Sequence, residues 1–452
     1  MAEDFRVPAI MEILSNAPSA EVDSALSRCG IIPTDDLVDS VLLLSYSSPA
    51  AAIEFFRWSG LSLNQHTPRS WNLMVDILGR NALFEPMWDA IRSMKQHSAL
   101  SLSTFASVFS SYCSVSRFKE AVMSFDVMDR YGVPQDSLAV NSLLAALFQI
   151  PDPVSSQTAA DFFDRIKASV PPDPYTFDIL LQGWEREGNI TRAKNTFGEM
   201  VIRVGWEAPP TSAFEAFLTT LVRSKQAEEA IKFLQVMKNN KRLPRVKFFA
   251  TALDLLINQN DSVHAVALWD IMVVQGRVVP NHAMCNAIIS QLCKSDMIYD
   301  AYNVLDGMPL NGLFPDSFAY NAIFECLIQN KRVREAGSFF NEMRMNEQLP
   351  SPSNCAAAIR MFFREYDPVM AIEVWDYMLK ERVSPADNAA SEILIGLKDL
   401  GRLSEVRRYA EVMLDGGIEL HSSTMDKLKA AFHKAGKKDS YEHIVRRVKH
   451  HR

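Results

Sequence analysis

Between Tyr320 and Met343 the chain reads YNAIFECLIQNKRVREAGSFFNEM. Apolar residues recur every three or four positions, give way to a polar Gln-Asn-Lys-Arg break, and resume until a closing methionine. Such spacing places the apolar side chains of each segment on one helical face, so the stretch predicts two amphipathic helices joined by a tight turn. The pattern closes in the same way at Met128, Met237, Met308, Met378 and Met413. Counted from Met94 through Met128, Ile166, Met200, Met237, Met272, Met308, Met343 and Met378 to Met413, the intervals are 34, 38, 34, 37, 35, 36, 35, 35 and 35 residues. So steady a period marks a tandem array. A two-helix unit of this length cannot bury its apolar faces alone, so neighbours must stack and share them. The predicted fold is an all-α solenoid of helix-turn-helix units, with one row of helices lining a concave binding face.

Ten units follow from the period: 68–101, 102–136, 137–173, 174–210, 211–245, 246–281, 282–316, 317–351, 352–386 and 387–421. In the seventh, His282–Lys294 predicts a first helix with Met284, Ile288, Ile289 and Leu292 on its apolar face, and Ile298–Met308 a second with Ala301, Val304, Leu305 and Met308. Gly132-Val-Pro134 and the prolines at 244, 280, 315, 350 and 385 fall where second helices should stop. Ahead of the array, LVDSVLLLSY and PAAAIEFFRWSG also read as helical, with Ala52, Phe55, Phe56 and Ser59 on one face. The expected division is a helical N-terminal cap (1–67), about ten repeats (68–421), and a partial repeat with a basic C-terminal cap (422–452). The methionine column reads as core, since Met fills irregular gaps between stacked helices.

Charge and composition narrow the functions. The net charge is −7, distributed as −6 over 1–60, −8 over 61–426 and +7 over 427–452. With no general basic field, any grip on RNA must come from local grooves and base contacts rather than bulk phosphate attraction. The six cysteines are scattered without a CxxC, so neither a disulfide framework nor a zinc ribbon is indicated and a reducing compartment is expected. Cys285, Cys293 and His282 match no zinc spacing, and no metal or cofactor is predicted. No apolar run approaches the roughly 20 residues that cross a bilayer. The first twenty residues hold three acids and one Arg, unlike an Arg-rich, acid-poor transit peptide, so no cleavable targeting segment is read there. Nucleophile-elbow, phosphate-loop, HExxH and deaminase signatures do not occur, and the chain is expected not to be an enzyme.

At the level of the unit, YNAIFECLIQNKRVREAGSFFNEMRMNEQLPS resembles the pentatricopeptide repeat, and AIEFFRWSGLSLNQHTPRSWNLMVDILGR is similar to the opening segment of mitochondrial members of the plant P-type subfamily. The resemblance runs from about Pro49 to Gly436. The tetratricopeptide unit is the nearest rival, but its Trp-Leu-Gly and Tyr signatures are not seen. The resemblance implies a right-handed superhelix that binds single-stranded RNA, one base per unit. In that scheme the fifth residue of a unit meets the base edge, the last residue orients it, and the second residues of successive units sandwich the base. An Asn amide offers a donor and an acceptor to a pyrimidine edge, and an Asp or Ser can hold it in one orientation.

Carried onto this chain, Asn141 with Asp173 between Leu138 and Tyr175, and Asn286 with Asp316 between Ala283 and Phe318, match the uracil-preferring type. Asn321 with Ser351, and Asn72 with Ser101, resemble the cytosine-leaning type. The adjacent units from His282 to Ser351 form the best candidate site. Six units depart from the pattern: Ala106/Asp136, Asp178/Pro210, Glu215/Arg245, Ala250/Asn281, Ala356/Ala386 and Ser391/His421. An Asn near a helix start can instead satisfy free backbone amides as a cap. The functional expectation is an RNA-binding protein, mitochondrial by resemblance, acting on pyrimidine-containing transcripts in processing, stability, splicing or translation. The alternative is a protein-interaction scaffold, such as a mitoribosome-associated member whose base-reading positions have drifted.

Overall fold

A computed structural model describes residues 5–18, 21–63, 65–384 and 386–450. The first four residues of the segment weighed as a presequence, Pro385 among the recurring breakers, and the His451-Arg452 end of the basic tail lie outside the described residues. Among the described residues there are 26 α-helices and no strand. The chain divides into two compact units, Met1–Gln226 and Ala227–Arg452.

In the first unit, the helices Arg6–Asn16, Val22–Arg28, Asp35–Leu44 and Pro49–Leu63 precede regular pairs beginning with Pro68–Arg80 and Phe84–Gln96. Ala52, Phe55, Phe56 and Ser59 are all buried, and Asp35–Leu44 packs on Pro68–Arg80. The pairs Leu102–Ser114 with Phe118–Asp126, Ser137–Leu147 with Pro153–Ile166, and Pro174–Glu187 with Ile190–Val204 follow. Each first helix packs on the first helix of the next pair. The second unit repeats the plan: His282–Lys294 with Ile298–Leu310, Ser317–Gln329 with Val333–Met345, Pro352–Arg364 with Pro368–Lys380, Asp387–Asp399 with Leu403–Asp415, and Ser422–Lys434 with Lys438–His450. One pair is irregular. Its second helix, Ser262–Trp269, continues into a π-helical turn over Asp270–Gln275.

What stops the helices differs from the sequence expectation. Most first helices end two residues before a left-handed position, occupied by Ala82, Ser116, Asn260, Asp296, Lys331, Tyr366 or Gly401, while Pro174–Glu187 is followed directly by Gly188 and Ser137–Leu147 by no such residue. The next amide bonds back five residues: Leu83 N–H to Leu78, Arg117 to Tyr112, Met297 to Leu292, Arg332 to Leu327 and Asp367 to Phe362, at 2.8–2.9 Å. This is the Schellman closure, which satisfies carbonyls left free at a helix end. Second helices close the same way, and the acceptor is the carbonyl of the closing methionine. Val133 donates to Met128, Leu313 to Met308, Gln348 to Met343 and Ile418 to Met413. The prolines at 134, 315 and 350 therefore follow the stop and shape the extended link to the next pair.

The closing methionines are buried throughout, from Met94 to Met413, whereas Ile166 is half-buried. One side chain thus sits in the core while its carbonyl ends the helix, which ties the repeat period to packing. Most of the left-handed positions carry a Cβ, at a cost of roughly 1–2 kcal/mol each, which the stacking offsets. Gly401, at φ 73°, escapes that cost, and a Cβ there would touch nothing within 4 Å. Gly401→Ala is therefore a purely conformational change. It is expected to lower local stability by about 1 kcal/mol, seen as faster hydrogen exchange at the Arg402 amide, which donates to Leu397. Unchanged exchange would mean that the turn is not under this strain.

Candidate nucleic-acid interface

The candidate readers sit about one turn inside the first helices, beyond the capping position. The caps are the residues just before each helix: Thr67 accepts the Ser70 N–H, Asp136 that of Ala139, Asp173 that of Thr176, Asn281 that of Met284, and Asp316 that of Ala319. Capping thus does not explain Asn72, Asn141, Asn286 or Asn321.

The four asparagines fall into two groups. Asn141 Nδ2 donates to both carboxylate oxygens of Asp173, at 3.1 and 3.2 Å. Asn286 Nδ2 donates to Asp316 Oδ2 at 3.0 Å. A carboxylate only accepts, so it holds the amide with nitrogen inward and removes the ambiguity of a flipped Asn. The same Asp side chains cap the following helix: Asp173 Oδ1 accepts from Thr176 N at 2.7 Å and Asp316 Oδ1 from Ala319 N at 3.0 Å. One residue therefore does both jobs. The amide oxygens, Asn141 Oδ1 and Asn286 Oδ1, are buried and meet no donor in the protein. A buried acceptor without a partner costs on the order of 1–3 kcal/mol.

Both aspartates remain acidic despite their surroundings. Partial burial raises the pKa of Asp173, but hydrogen bonds from the Thr176 amide, Asn141, the Thr176 hydroxyl and Ser137 outweigh it and leave the carboxyl below its usual range. Asp316 behaves alike: burial raises it, while the Ala319 amide, Asn286, the adjacent His282 and the Phe318 amide bring it below the usual value.

The other two amides are spent within the chain. Asn321 Oδ1 accepts the Ser351 N–H at 2.6 Å and Asn354 Nδ2 at 3.0 Å, while its Nδ2 donates to the carbonyls of Ser317 and Leu349 at 2.7 and 2.9 Å. Every hydrogen-bonding direction of that amide is engaged. Ser351 reaches it through its backbone, and its hydroxyl caps the Asn354 amide at 3.1 Å. Asn72 does not meet Ser101 directly. Its Oδ1 accepts from Thr104 Oγ1 at 2.6 Å and its Nδ2 donates to Ser103 Oγ at 3.0 Å, and Ser103 in turn contacts Ser101 Oγ at 2.7 Å. Thr104 and Asn354, three residues after the unit's last position, are the partners that sequence reasoning missed. The capping box of Ser101 with Thr104 was the available signal.

The flanking residues sort in the same way. Leu138, Tyr175 and Phe318 are 61%, 66% and 58% exposed, and Ala283 is also exposed. Both walls are apolar around Asn141 and around Asn286. Around the remaining units the equivalent places hold Arg69, Ser103, Ser212, Lys247, Ser353 and Asn388. In the departing units, Asp178 accepts from Gln182 Nε2 at 3.0 Å, Ser391 Oγ is buried without a partner, and the His421 ring meets Asn388 Oδ1 at 3.2 Å. Cys285 is buried, which pushes its thiol up to about 11, and the His282 ring meets the Phe314 carbonyl at 3.1 Å. No helix of the described residues is long and apolar enough to cross a membrane.

These features define a helical-repeat protein built from stacked two-helix units, with polar side chains on the first helices and fixed amides in two of them. Family models agree with that class. One described as pentatricopeptide repeat-containing protein matches residues 73–200, and the PPR repeat matches 283–313 and 318–347. Among relatives from Arabidopsis thaliana, a mitochondrial pentatricopeptide repeat-containing protein is 29% identical over 176 residues, covering 39% of this chain and 34% of its own. A second of that description is 30% identical over 169 residues, covering 36% of this chain and 30% of its own. A third is 25% identical over 431 residues, covering 94% of this chain and 73% of its own. The matched stretch thus spans about a third of the length of the first two relatives. A crystal structure of the pentatricopeptide repeat protein PPR10 in complex with an 18-nt psaJ RNA element has a TM-score of 0.44 and 19% identity, covering 97% of this chain and 67% of that one. The chain carries pentatricopeptide repeats over the matched residues.

The depressed aspartates carry a pH dependence of definite sign. A carboxyl whose folded pKa lies below its unfolded value, about 3.9 for Asp, contributes stability that is fully present above that value and lost as pH falls through the folded one. The wild-type chain should therefore lose more stability than the Asp173→Asn, Asp316→Asn variant as pH falls below about 4. Urea midpoints measured across that range test this, and parallel curves would show that the two carboxylates are not stabilised as described.

Proposed function

We propose that this chain binds single-stranded RNA and reads uracil at two layers, through Asn141 with Asp173 and Asn286 with Asp316. The observation that carries the reading is the coincidence of three features in both layers: an amide oriented by a carboxylate, an amide oxygen lacking a donor, and exposed apolar side chains on both flanks. Uracil offers an N–H at the middle of its edge, at N3, where adenine presents an acceptor. A uracil N3–H would complete the amide oxygen while its faces rest on Leu138 and Tyr175, or on Ala283 and Phe318. Stacking of this kind is worth on the order of 1–3 kcal/mol per base. Because both oxygens are covered in the free chain, docking of the base includes a small displacement of the side chains around them. Asn321 and Asn72, with Ser351 and Ser101, act as structural links between layers.

The role is one of holding, in the manner of a P-type member of the family, and the compartment is the mitochondrion, in line with the names of the relatives. Binding at this scale serves transcript processing, stability, splicing or translation. The scaffold reading keeps one observation in its favour: eight of the ten units lack a usable amide, six having none at that place and those of Asn72 and Asn321 being engaged within the chain, so most of the array is free for protein contacts.

Fluorescence anisotropy with labelled homopolymers tests the proposal. Oligo(U) should bind more tightly than oligo(A), with affinity falling as salt rises. Asn141→Ala with Asn286→Ala should reduce the preference for oligo(U) by about thirtyfold, since two oriented contacts of roughly 1 kcal/mol each amount to about 2 kcal/mol. Asn321→Ala should lower stability while leaving the preference in place. Equal binding of all homopolymers by wild type, or none, would overturn the reading in favour of the scaffold.

A further inference from the structure

The second helices of the second unit carry a feature that RNA reading does not use. Two residues after the closing methionines Met272, Met308 and Met343 stand Val274, Leu310 and Met345, which are 67%, 89% and 83% exposed. The methionines themselves are buried, so the three exposed side chains occupy one register position in three consecutive repeats. The same position holds Asn239 in the repeat before and Lys380 in the repeat after. Within the second unit the apolar row is thus confined to three layers.

Between the first two members of the row lies a cleft of about 470 Å³. Its walls come from the π-helical turn, with Trp269, Val273 and Val274, and from the helix Ile298–Leu310, with Gly307 and Leu310. Gly307 borders open space, and a Cβ there would meet nothing within 4 Å. The only charged residues lining it are Asp270 and Asp300. Asp270 accepts from Gln275 Nε2, and nearby Lys238 donates to Gln275 Oε1 at 2.6 Å. The cleft is therefore apolar at its floor and acidic at its edge. An i→i+5 turn of this kind is rare and occurs frequently at functional sites.

From this we infer that the row Val274–Leu310–Met345 and its cleft form a docking surface for a basic amphipathic helix of a partner protein. Two observations select that occupant. Complementarity to Asp270 and Asp300 requires positive charge beside the apolar contact. The row also offers one apolar position in each of three consecutive layers, and an amphipathic helix presents such a row on a single face, seven of its residues advancing about 10.5 Å at 1.5 Å per residue. A helix laid across the repeats would present one apolar residue per layer at every seventh position. The surface is on second helices, whereas Asn286 and Phe318 are on first helices, so the proposal does not rest on RNA binding.

A labelled peptide of about 18 residues, with leucine at every seventh position and lysines beside each leucine, is the probe. Its binding to the full chain is followed by fluorescence anisotropy. Wild type is expected to bind it, and an otherwise identical peptide with glutamate for lysine is expected to bind about tenfold more weakly. Because Leu310 is almost fully exposed, Leu310→Lys should fold normally and weaken the lysine peptide by about tenfold or more. Asp270→Asn with Asp300→Asn should narrow the difference between the two peptides. Asn141→Ala with Asn286→Ala should change neither. The inference is overturned if wild type binds neither peptide, if the two peptides bind alike, if Leu310→Lys binds as wild type does, or if oligo(U) displaces the peptide competitively.

Discussion

Everything in this chain depends on the fact that a two-helix unit has more apolar surface than it can cover by itself. The surplus is buried only when the next pair arrives at the right offset, with first helix against first helix. The closing methionine enforces that offset from two directions. Its side chain occupies the core between pairs, and its carbonyl accepts the amide that ends the second helix, as at Met308 with Leu313 and Met343 with Gln348. Lengthening the helix would move the side chain out of the core, and shortening it would remove the acceptor. The period is thus a packing requirement expressed as a count of residues.

That is why the architecture could be read so fully from the sequence. The bounds His282–Lys294 follow directly from apolar spacing, and the structure has the same helix. The turns were less legible. Prolines look like the stops of the second helices, but the chain reverses earlier, at left-handed residues as varied as Lys241, Glu347 and Arg382. Such residues carry no intrinsic signal for the conformation, which tertiary packing imposes on them. The π-helical turn over Asp270–Gln275 was equally hidden, because its residues differ in no evident way from those of the neighbouring second helices.

The candidate site was partly legible for a related reason. A pattern of residue types can place an Asn and an Asp in adjacent layers, and Asn141 with Asp173 and Asn286 with Asp316 do meet. It cannot tell whether an amide has hydrogen bonds to spare. Asn321 has none, because the Leu349 carbonyl, the Ser351 amide and Asn354 converge on it. Asn72 is diverted to Ser103 and Thr104. In both layers a serine stands where the other two have aspartate, and a neutral hydroxyl does not draw the amide nitrogen as a carboxylate does.

The doubled duty of Asp173 and Asp316 reaches further than either layer. Each carboxylate belongs to one unit as the support of its Asn and to the next as the anchor of a helix start. On the proposed reading, recognition and folding share an atom group at the seam between repeats. If those layers read bases as proposed, such an array cannot drift freely in what it recognises, because exchanging the acid to suit another letter of a transcript would also loosen the neighbour's first turn. Only residues able to perform both tasks remain open to selection at that seam, and the vocabulary available to such a protein is correspondingly small.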